Sequence, residues 1–240
     1  MSAERPHSDR RRFLGLAGIT SIGLMVFSRK ACAASQAAEP EEEVSPAEDL
    51  MREHGVLNRL LLIYEESMRR LGSAREDVKP ELLAESAGII RSFIEDYHEK
   101  LEEEHLFPRF EKAGKETGLV RVLRQQHDAG RRLTEQIIQL AKVRTFTDAT
   151  QNRKLSATMQ QFIRMYRPHE SREDTVLFPA LHQIVSRHEY DALGEDFEKQ
   201  EHQRFGADGF ETMVDRVARI ERALGIYELA QFTPKIEEAK

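Results

Sequence analysis

The feature that most constrains this chain is a motif that occurs twice: His-x-x-x-Glu, three further residues, then Leu-Phe-Pro. The first copy lies in residues 97–110, YHEKLEEEHLFPRF, and the second in residues 166–181, YRPHESREDTVLFPAL. Residues four apart lie on one face of a helix. His98 and Glu102 in the first copy, and His169 and Glu173 in the second, therefore place an imidazole beside a carboxylate. The proline after each copy is expected to end or kink its helix.

A single His-x-x-x-Glu is weak support for a metal site, because the chain holds 9 His and 42 acidic residues. One copy alone is explained equally well by an ordinary pair on a solvated helix face. Two copies with the same Leu-Phe-Pro continuation are harder to explain in that way. If two helices bring them face to face, four ligands converge, as in the carboxylate-bridged dimetal sites of helical bundles. The repeated motif therefore favours a metal site over a structural bundle without metal.

Hydrophobic residues recur at helical spacing along most of the chain, and this periodicity predicts an all-α fold. Ser45-Pro46 indicates a helix start and Gly72-Ser73 a helix end. Four long helices joined by short turns predict an up-down-up-down four-helix bundle with an additional C-terminal helix and an irregular tail from residue 226. The predicted helices span residues 46–71 (A), 80–108 (B), 119–144 (C), 149–178 (D) and, interrupted at 206–209, 189–224 (E).

Four histidines are distributed over the four predicted long helices in a regular way. His54 comes early on helix A and His127 early on C, whereas His98 comes late on B and His169 late on D. In an antiparallel bundle all four positions lie at the same end. His54 alone would more often be a core histidine than a ligand. The shared end is a second, independent indication of a metal site.

Residues 1–33 have the features of a twin-arginine export signal. The stretch at 10–14, RRRFL, resembles the twin-arginine pattern, a mildly apolar run follows at 14–27, and Ala31-Cys32-Ala33 is a small-x-small cleavage site. The run is too short to span a bilayer; an uncleaved N-terminal anchor helix is the alternative interpretation. The sequence thus predicts export to the periplasm. An acidic linker is expected at 34–46, a main domain at 47–185, and a C-terminal helix with a tail at 186–240.

Cleavage after Ala33 would change both the charge and the thiol content of the chain. The whole sequence has 36 basic and 42 acidic residues, of which six basic and two acidic ones precede the cleavage point. The mature chain would then carry 30 basic and 40 acidic residues and no cysteine. A net charge of −10 argues against nucleic acid or an anionic membrane as a partner.

The six motif residues together give the chain a family resemblance. Its pattern H…HxxxE…H…HxxxE, with Leu-Phe-Pro after each carboxylate, resembles the hemerythrin-like (HHE cation-binding) domain over residues 47–185. The resemblance implies a non-haem centre of two iron ions. It makes Glu102 and Glu173 the bridging carboxylates. The terminal ligands would be His54, His98, His127 and His169.

The chain also departs from the oxygen-carrying members of that family. On the third helix, those proteins have a second histidine four residues after the first, where this chain has Arg131. On the fourth helix, their carboxylate is an Asp five residues after the histidine, whereas here it is Glu173, four residues after His169. One terminal ligand is therefore missing. His202 is a candidate replacement, the alternative being a solvated histidine. His105 is expected to hold a ligand in place or to lie at the bundle end, and Tyr166 to direct its hydroxyl inward.

Imidazoles combined with carboxylates suit iron, and also manganese or zinc. The leading interpretation is a protein that binds O2 or NO in the periplasm as a carrier, scavenger or sensor. The alternatives are a di-iron enzyme of the peroxidase or catalase-like class, which an open metal position would favour, and an iron-buffering protein. The sequence shows no nucleotide-binding glycine pattern and no nucleophile triad.

Overall fold

The computed structural model describes residues 44–73 and 78–235, and every regular element within them is helical. The all-α prediction is therefore confirmed. The predicted signal peptide at 1–33 and nearly all of the acidic linker at 34–46 lie outside the described residues.

Four long helical stretches carry the histidines and both motifs. The first is α1 (Pro46–Leu71) and the third is α5 (Thr117–Ala141). The second stretch, residues 80–113, consists of α2 (Pro80–Ile89), a π-helical segment (Ile90–His98), α3 (Glu99–Leu101), a π-helical segment (Glu102–Leu106) and α4 (Phe107–Ala113). The fourth stretch, residues 149–181, consists of α6 (Ala149–Arg172), a π-helical segment (Glu173–Leu177) and α7 (Phe178–Leu181).

Local capping explains where the long helices begin and end. The Ser45 side chain accepts a hydrogen bond from the Glu48 backbone N–H, and Asp148 caps α6 in the same way. Gly114 ends α4 in the left-handed region with φ of 66°. The predicted bounds of α1 are confirmed, whereas α5 ends three residues before the predicted position 144.

The C-terminal part forms two helices and a short turn. The predicted helix E is divided at the expected interruption into α8 (Arg187–Phe205) and α9 (Gly209–Ala223). A 3-10 turn, Leu229–Phe232, follows in the stretch predicted to be irregular.

Both motifs contain a π-helical segment that begins at the motif glutamate. The Phe107 N–H donates to the Glu102 carbonyl, and the Phe178 N–H to the Glu173 carbonyl, so each bond spans five residues instead of four. A proline ring normally clashes with the preceding helical turn. The wider turn just before Pro108 and Pro179 gives the ring room, and each helix continues beyond its proline instead of ending there.

The four stretches pack around a common apolar core. α1 packs on α6, α6 on α5, α5 on α2, and α2 with the π-helical segment after it on α1. α8 and α9 pack on each other and on α1. The described residues therefore form a helical bundle to which the two C-terminal helices are added. Among the described helices, none is both long and apolar enough to cross a membrane.

Phe197 tests whether α8 is part of this core. Its side chain is fully buried and meets the His105 ring edge-on at 5.6 Å between centroids. Replacing a buried phenylalanine by alanine removes apolar contact and leaves a cavity, so Phe197→Ala should lower the free energy of unfolding by about 3–5 kcal/mol. Phe232→Ala, at a side chain that is 52% exposed, should change it by less than about 0.5 kcal/mol. Urea unfolding of both variants in one buffer measures the difference, and equal effects would show that α8 lies outside the cooperative core.

Candidate metal centre

Six side chains from the four helical stretches meet in the interior of the bundle, and each is at most 4% exposed. They are His54 from α1, His98 and Glu102 from the second stretch, His127 from α5, and His169 and Glu173 from the fourth stretch. The histidines lie in two pairs, with ring centroids 4.7 Å apart for His54 and His98 and 5.0 Å apart for His127 and His169. The structure thus brings together all six residues of the repeated pattern. Their roles as ligands remain predictions.

Each of the four histidines has a hydrogen-bond acceptor at Nδ1. The pairs are His54 with Asp174 Oδ1 at 2.7 Å, His98 with Glu53 Oε2 at 2.8 Å, His127 with Glu103 Oε1 at 3.0 Å, and His169 with Gln126 Oε1 at 2.9 Å. An oxygen acceptor at Nδ1 fixes the neutral tautomer that carries its proton there. In every ring Nε2 faces the centre of the cluster and is the nitrogen left to coordinate a cation.

Each motif glutamate lies between two of these Nε2 atoms. Glu173 Oε2 is 3.1 Å from His169 Nε2 and 3.4 Å from His54 Nε2. Glu102 lies 3.4 Å from His127 Nε2 and 3.8 Å from His98 Nε2. Within the described part of the chain, none of the four carboxylate oxygens has a hydrogen-bond partner. Buried polar atoms without partners are costly, so this arrangement fits cations between the carboxylates and the imidazoles.

The ligand atoms divide into two adjacent groups that share a carboxylate. One group contains Glu102, His127, His169 and Glu173, and the other contains His54, His98 and Glu102. Within each group the ligand atoms lie within 4.8 Å of one another. Each group has two histidines, and the groups have one carboxylate in common. This donor set suits a pair of cations.

Burial controls the charge of the two carboxylates. Burial and the neighbouring Glu173 raise the pKa of Glu102 to about 8. Burial also acts to raise the pKa of Glu173, but the nearby His169 and His54 lower it well below its ordinary value. Two anions this close in a dry interior are stable only beside positive charge. The chemistry of the site therefore favours cation binding over an empty acidic pair.

The sequence analysis did not identify the Nδ1 acceptors, although the motif itself contains two of them. In both copies another acidic residue directly follows the motif glutamate: Glu103 after Glu102, and Asp174 after Glu173. Each of these second acids accepts from a histidine on a neighbouring helix, not from the histidine of its own motif. The repeated pattern therefore extends by one position, with the added residue orienting an imidazole across the helix interface.

Arg131, which stands at the missing-ligand position, is part of an ion-pair network. Its Nη2 atom lies 2.8 Å from Glu99 Oε2 and 2.7 Å from Glu103 Oε1. Because Glu103 accepts from His127, Arg131 holds the group that orients a histidine of the cluster. The position thus acts on the site through Glu103.

His202, the candidate replacement for the missing ligand, lies outside the groups of buried ligand atoms. His202 is exposed on α8 and lines a surface depression with Glu195, Glu198, Lys199 and Gln203. Its position on α8 turns it to solvent, away from the buried cluster. His105 contacts Gln200 on α8 at 3.1 Å and packs on Phe197, which fits the bundle-end alternative. The Tyr166 hydroxyl is directed inward as expected and donates to Glu99.

Comparison with known proteins gives a consistent assignment. The family model described as "Hemerythrin HHE cation binding domain" matches residues 45–181. An uncharacterized protein from Mycobacterium bovis and one from Mycobacterium tuberculosis are each 51% identical to the chain over 197 residues. The alignment covers 81% of this chain and 77% of each relative. No solved structure matches the chain significantly.

Glu170, next to the cluster, is a further buried acid. It is 3% exposed, and Asn58 Nδ2 donates a hydrogen bond to its Oε2. Burial is the main cause that raises the pKa of Glu170 from 4.5 to about 8. In the metal-free folded protein this carboxyl group is therefore protonated at neutral pH.

The raised pKa predicts how Glu170 affects stability. Between pH 4.5 and about 8 the folded state keeps a proton that the unfolded chain releases, so this group lowers the free energy of unfolding as pH rises. The loss is at most about 1.4 kcal/mol per pH unit. Glu170→Gln keeps an acceptor for Asn58 and removes this loss. The stability advantage of the variant should be smallest near pH ~5 and largest near pH ~8 in urea unfolding of metal-free protein.

Glu104→Gln, at an exposed position of the first motif, is the matched control. Its stability difference from the unchanged protein should vary little over the same pH range. Parallel pH profiles for Glu170→Gln and the unchanged protein would contradict the raised pKa.

Proposed function

The chain belongs to the hemerythrin HHE cation-binding domain family, and from that membership we propose that it is a non-haem di-iron protein that binds O2 or NO. The observation that carries the proposal is the set of four buried histidines whose Nε2 atoms face two buried carboxylates, neither of which accepts a hydrogen bond within the described residues. Imidazole and carboxylate ligands in a helical bundle suit iron. The proposed role is that of a carrier, scavenger or sensor of a small diatomic ligand.

The proposal includes an up-down-up-down arrangement of the four helical stretches. It is supported by the closed cycle of packing in which each stretch contacts the next and the fourth contacts the first. Alternating directions place early positions of α1 and α5 beside late positions of the second and fourth stretches. This is the reason that residues far apart in sequence, such as His54 and Glu173, are 3.4 Å apart.

Each group of residues has a defined task in this proposal. His127 and His169 would hold one iron, His54 and His98 the other, and both irons would share Glu102 and Glu173. Iron, when bound, supplies the electrons for reversible reduction of O2. The Nδ1 acceptors keep each imidazole oriented, with Nε2 directed at the metal. The burial of all six side chains excludes bulk water from the bound ligand.

A second candidate function, a peroxidase or catalase-like enzyme, has one observation in its favour. The chain has Arg131 where the oxygen carriers have an additional histidine, and His202 is exposed on α8. A metal position left to water is available for peroxide. Binding of O2 or NO and turnover of peroxide are therefore the two outcomes that an experiment has to separate.

We further propose that the protein acts in the periplasm after export by the twin-arginine route. Support comes from the stretch at 10–14 and the cleavage site at 31–33. N-terminal sequencing of the protein recovered from the periplasmic fraction should begin at Ala34. Recovery of the uncleaved chain from the membrane fraction would favour the anchor helix.

Iron loading is the direct test of the di-iron proposal. Anaerobic titration of the metal-free protein with Fe(II) should saturate at two irons per chain, because the six buried ligands form two groups that share Glu102. Exposure to O2 or NO should then produce stable charge-transfer bands in the visible spectrum. Rapid consumption of added peroxide with no stable adduct would favour the enzyme, and saturation at a single metal would contradict a dimetal centre.

Two variants make this test specific to the site. Glu173→Ala removes a carboxylate that both irons would share and should abolish loading of the pair. His202→Ala, on the exposed face of α8, should keep two irons and an unchanged spectrum. Loss of iron in the His202 variant together with full loading in the Glu173 variant would show that the metal binds elsewhere.

A further inference from the structure

Tyr166 is a buried tyrosine whose hydroxyl is held by a carboxylate. It is 1% exposed and donates a hydrogen bond of 2.6 Å to Glu99 Oε1. Glu99 is itself 1% exposed and pairs through its other oxygen with Arg131 at 2.8 Å. The hydroxyl therefore donates to a carboxyl group that the Arg131 guanidinium group holds in place.

The backbone of α5 is shaped to admit this hydroxyl. A Cβ atom at Gly130 would lie 2.0 Å from the Tyr166 hydroxyl oxygen. Any larger residue at this position would displace the ring, so the glycine permits the contact between Tyr166 and Glu99. Gly130 lies one position before Arg131, and a single turn of α5 thus supplies both the space for the phenol and the partner for its acceptor.

Tyr166 also lies against the candidate metal centre. Its ring meets the His169 ring at 5.3 Å between centroids, in an edge-on arrangement. His169 belongs to the cluster and faces Glu173 through Nε2. An electron leaving the phenol would have only one packed ring contact to cross before reaching a predicted ligand.

Tyr64 gives an internal comparison. It is as deeply buried as Tyr166 and, like it, packs on Phe162. Within the described residues its hydroxyl has no hydrogen-bond partner. The chain therefore contains two buried tyrosines on the same phenylalanine, of which one has a proton acceptor and the other does not.

We propose that Tyr166 is a redox-active residue that gives one electron to the metal centre while its phenolic proton passes to Glu99. A phenol in a dry interior has no water to take its proton, so electron loss requires the acceptor that Glu99 provides. The inference rests on the proposed di-iron centre and takes hydrogen peroxide as the oxidant. It adds a one-electron donor to a site otherwise described only by its metal ligands.

Hydrogen peroxide takes up two electrons and two protons from solvent, its O–O bond breaks, and two molecules of water form. One electron comes from a ferrous ion, which becomes ferric. The other comes from Tyr166, whose O–H bond breaks to leave a neutral phenoxyl radical, while Glu99 becomes a carboxylic acid.

Electron paramagnetic resonance on the full chain tests the inference. Protein loaded with Fe(II) is mixed with one equivalent of hydrogen peroxide and frozen rapidly. An organic radical signal is expected, and it should narrow when the protein is made with ring-deuterated tyrosine. Tyr166→Phe should lose the signal, while Tyr64→Phe should keep it at full intensity. Glu99→Gln, which still accepts the hydrogen bond but takes no proton, should lose most of it.

Iron content and the visible spectrum separate failure of the inference from failure of the proposed function. An unchanged radical signal in Tyr166→Phe overturns the inference. Absence of a tyrosine radical in the unmodified protein, when two irons have bound and been oxidised, overturns the inference and leaves the di-iron proposal standing. Failure to bind iron at all overturns both. If Tyr166→Phe folds poorly, Glu99→Gln keeps the test decisive, because it retains the phenol and its hydrogen-bond acceptor and removes only the group that takes the proton.

Discussion

The structure depends on two carboxylates that are buried side by side. Glu102 and Glu173 are 0% exposed and have no hydrogen-bond donors among the described residues. An isolated charge in a protein interior is strongly unfavourable, and a second charge of the same sign raises the cost. A metal-free bundle reduces this cost by holding a proton, as the raised pKa of Glu102 shows. A cation reduces it more completely because it also satisfies the imidazole lone pairs. Metal binding and bundle stability are coupled for this reason.

The same constraint explains the surrounding polar network. A neutral imidazole can coordinate a metal through Nε2 only if its proton is on Nδ1. Each of the four histidines has an oxygen acceptor at Nδ1. Several of the acceptors cross from one helix to another: Asp174 reaches His54, and Glu103 reaches His127. These contacts tie the orientation of each ligand to the packing of two helices. Repacking of the helices would therefore change the site.

The features that the sequence predicts correctly are those that helical periodicity determines. The bounds of α1 follow from spacing along the helix. The convergence of His98, Glu102 and the other motif residues follows from the same spacing together with the proposed alternation of helix directions. Spacing does not fix how a helix is rotated about its axis. That rotation places His202 in solvent, and it brings Glu53 and Gln126 to imidazoles on other helices. The π-helical segments were not predicted. A proline within a helical pattern indicates a break or kink, and the sequence does not show that a wider turn accommodates it.

Arg131 shows how one substitution within a ligand pattern reorganises a site. A histidine at this position would donate a neutral nitrogen to a metal, whereas the guanidinium group is a fixed cation that cannot coordinate one. Its ion pairs with Glu99 and Glu103 hold these two acids, which accept from Tyr166 and His127 respectively. Through these two acids, Arg131 links the orientation of His127 to that of the buried Tyr166 phenol.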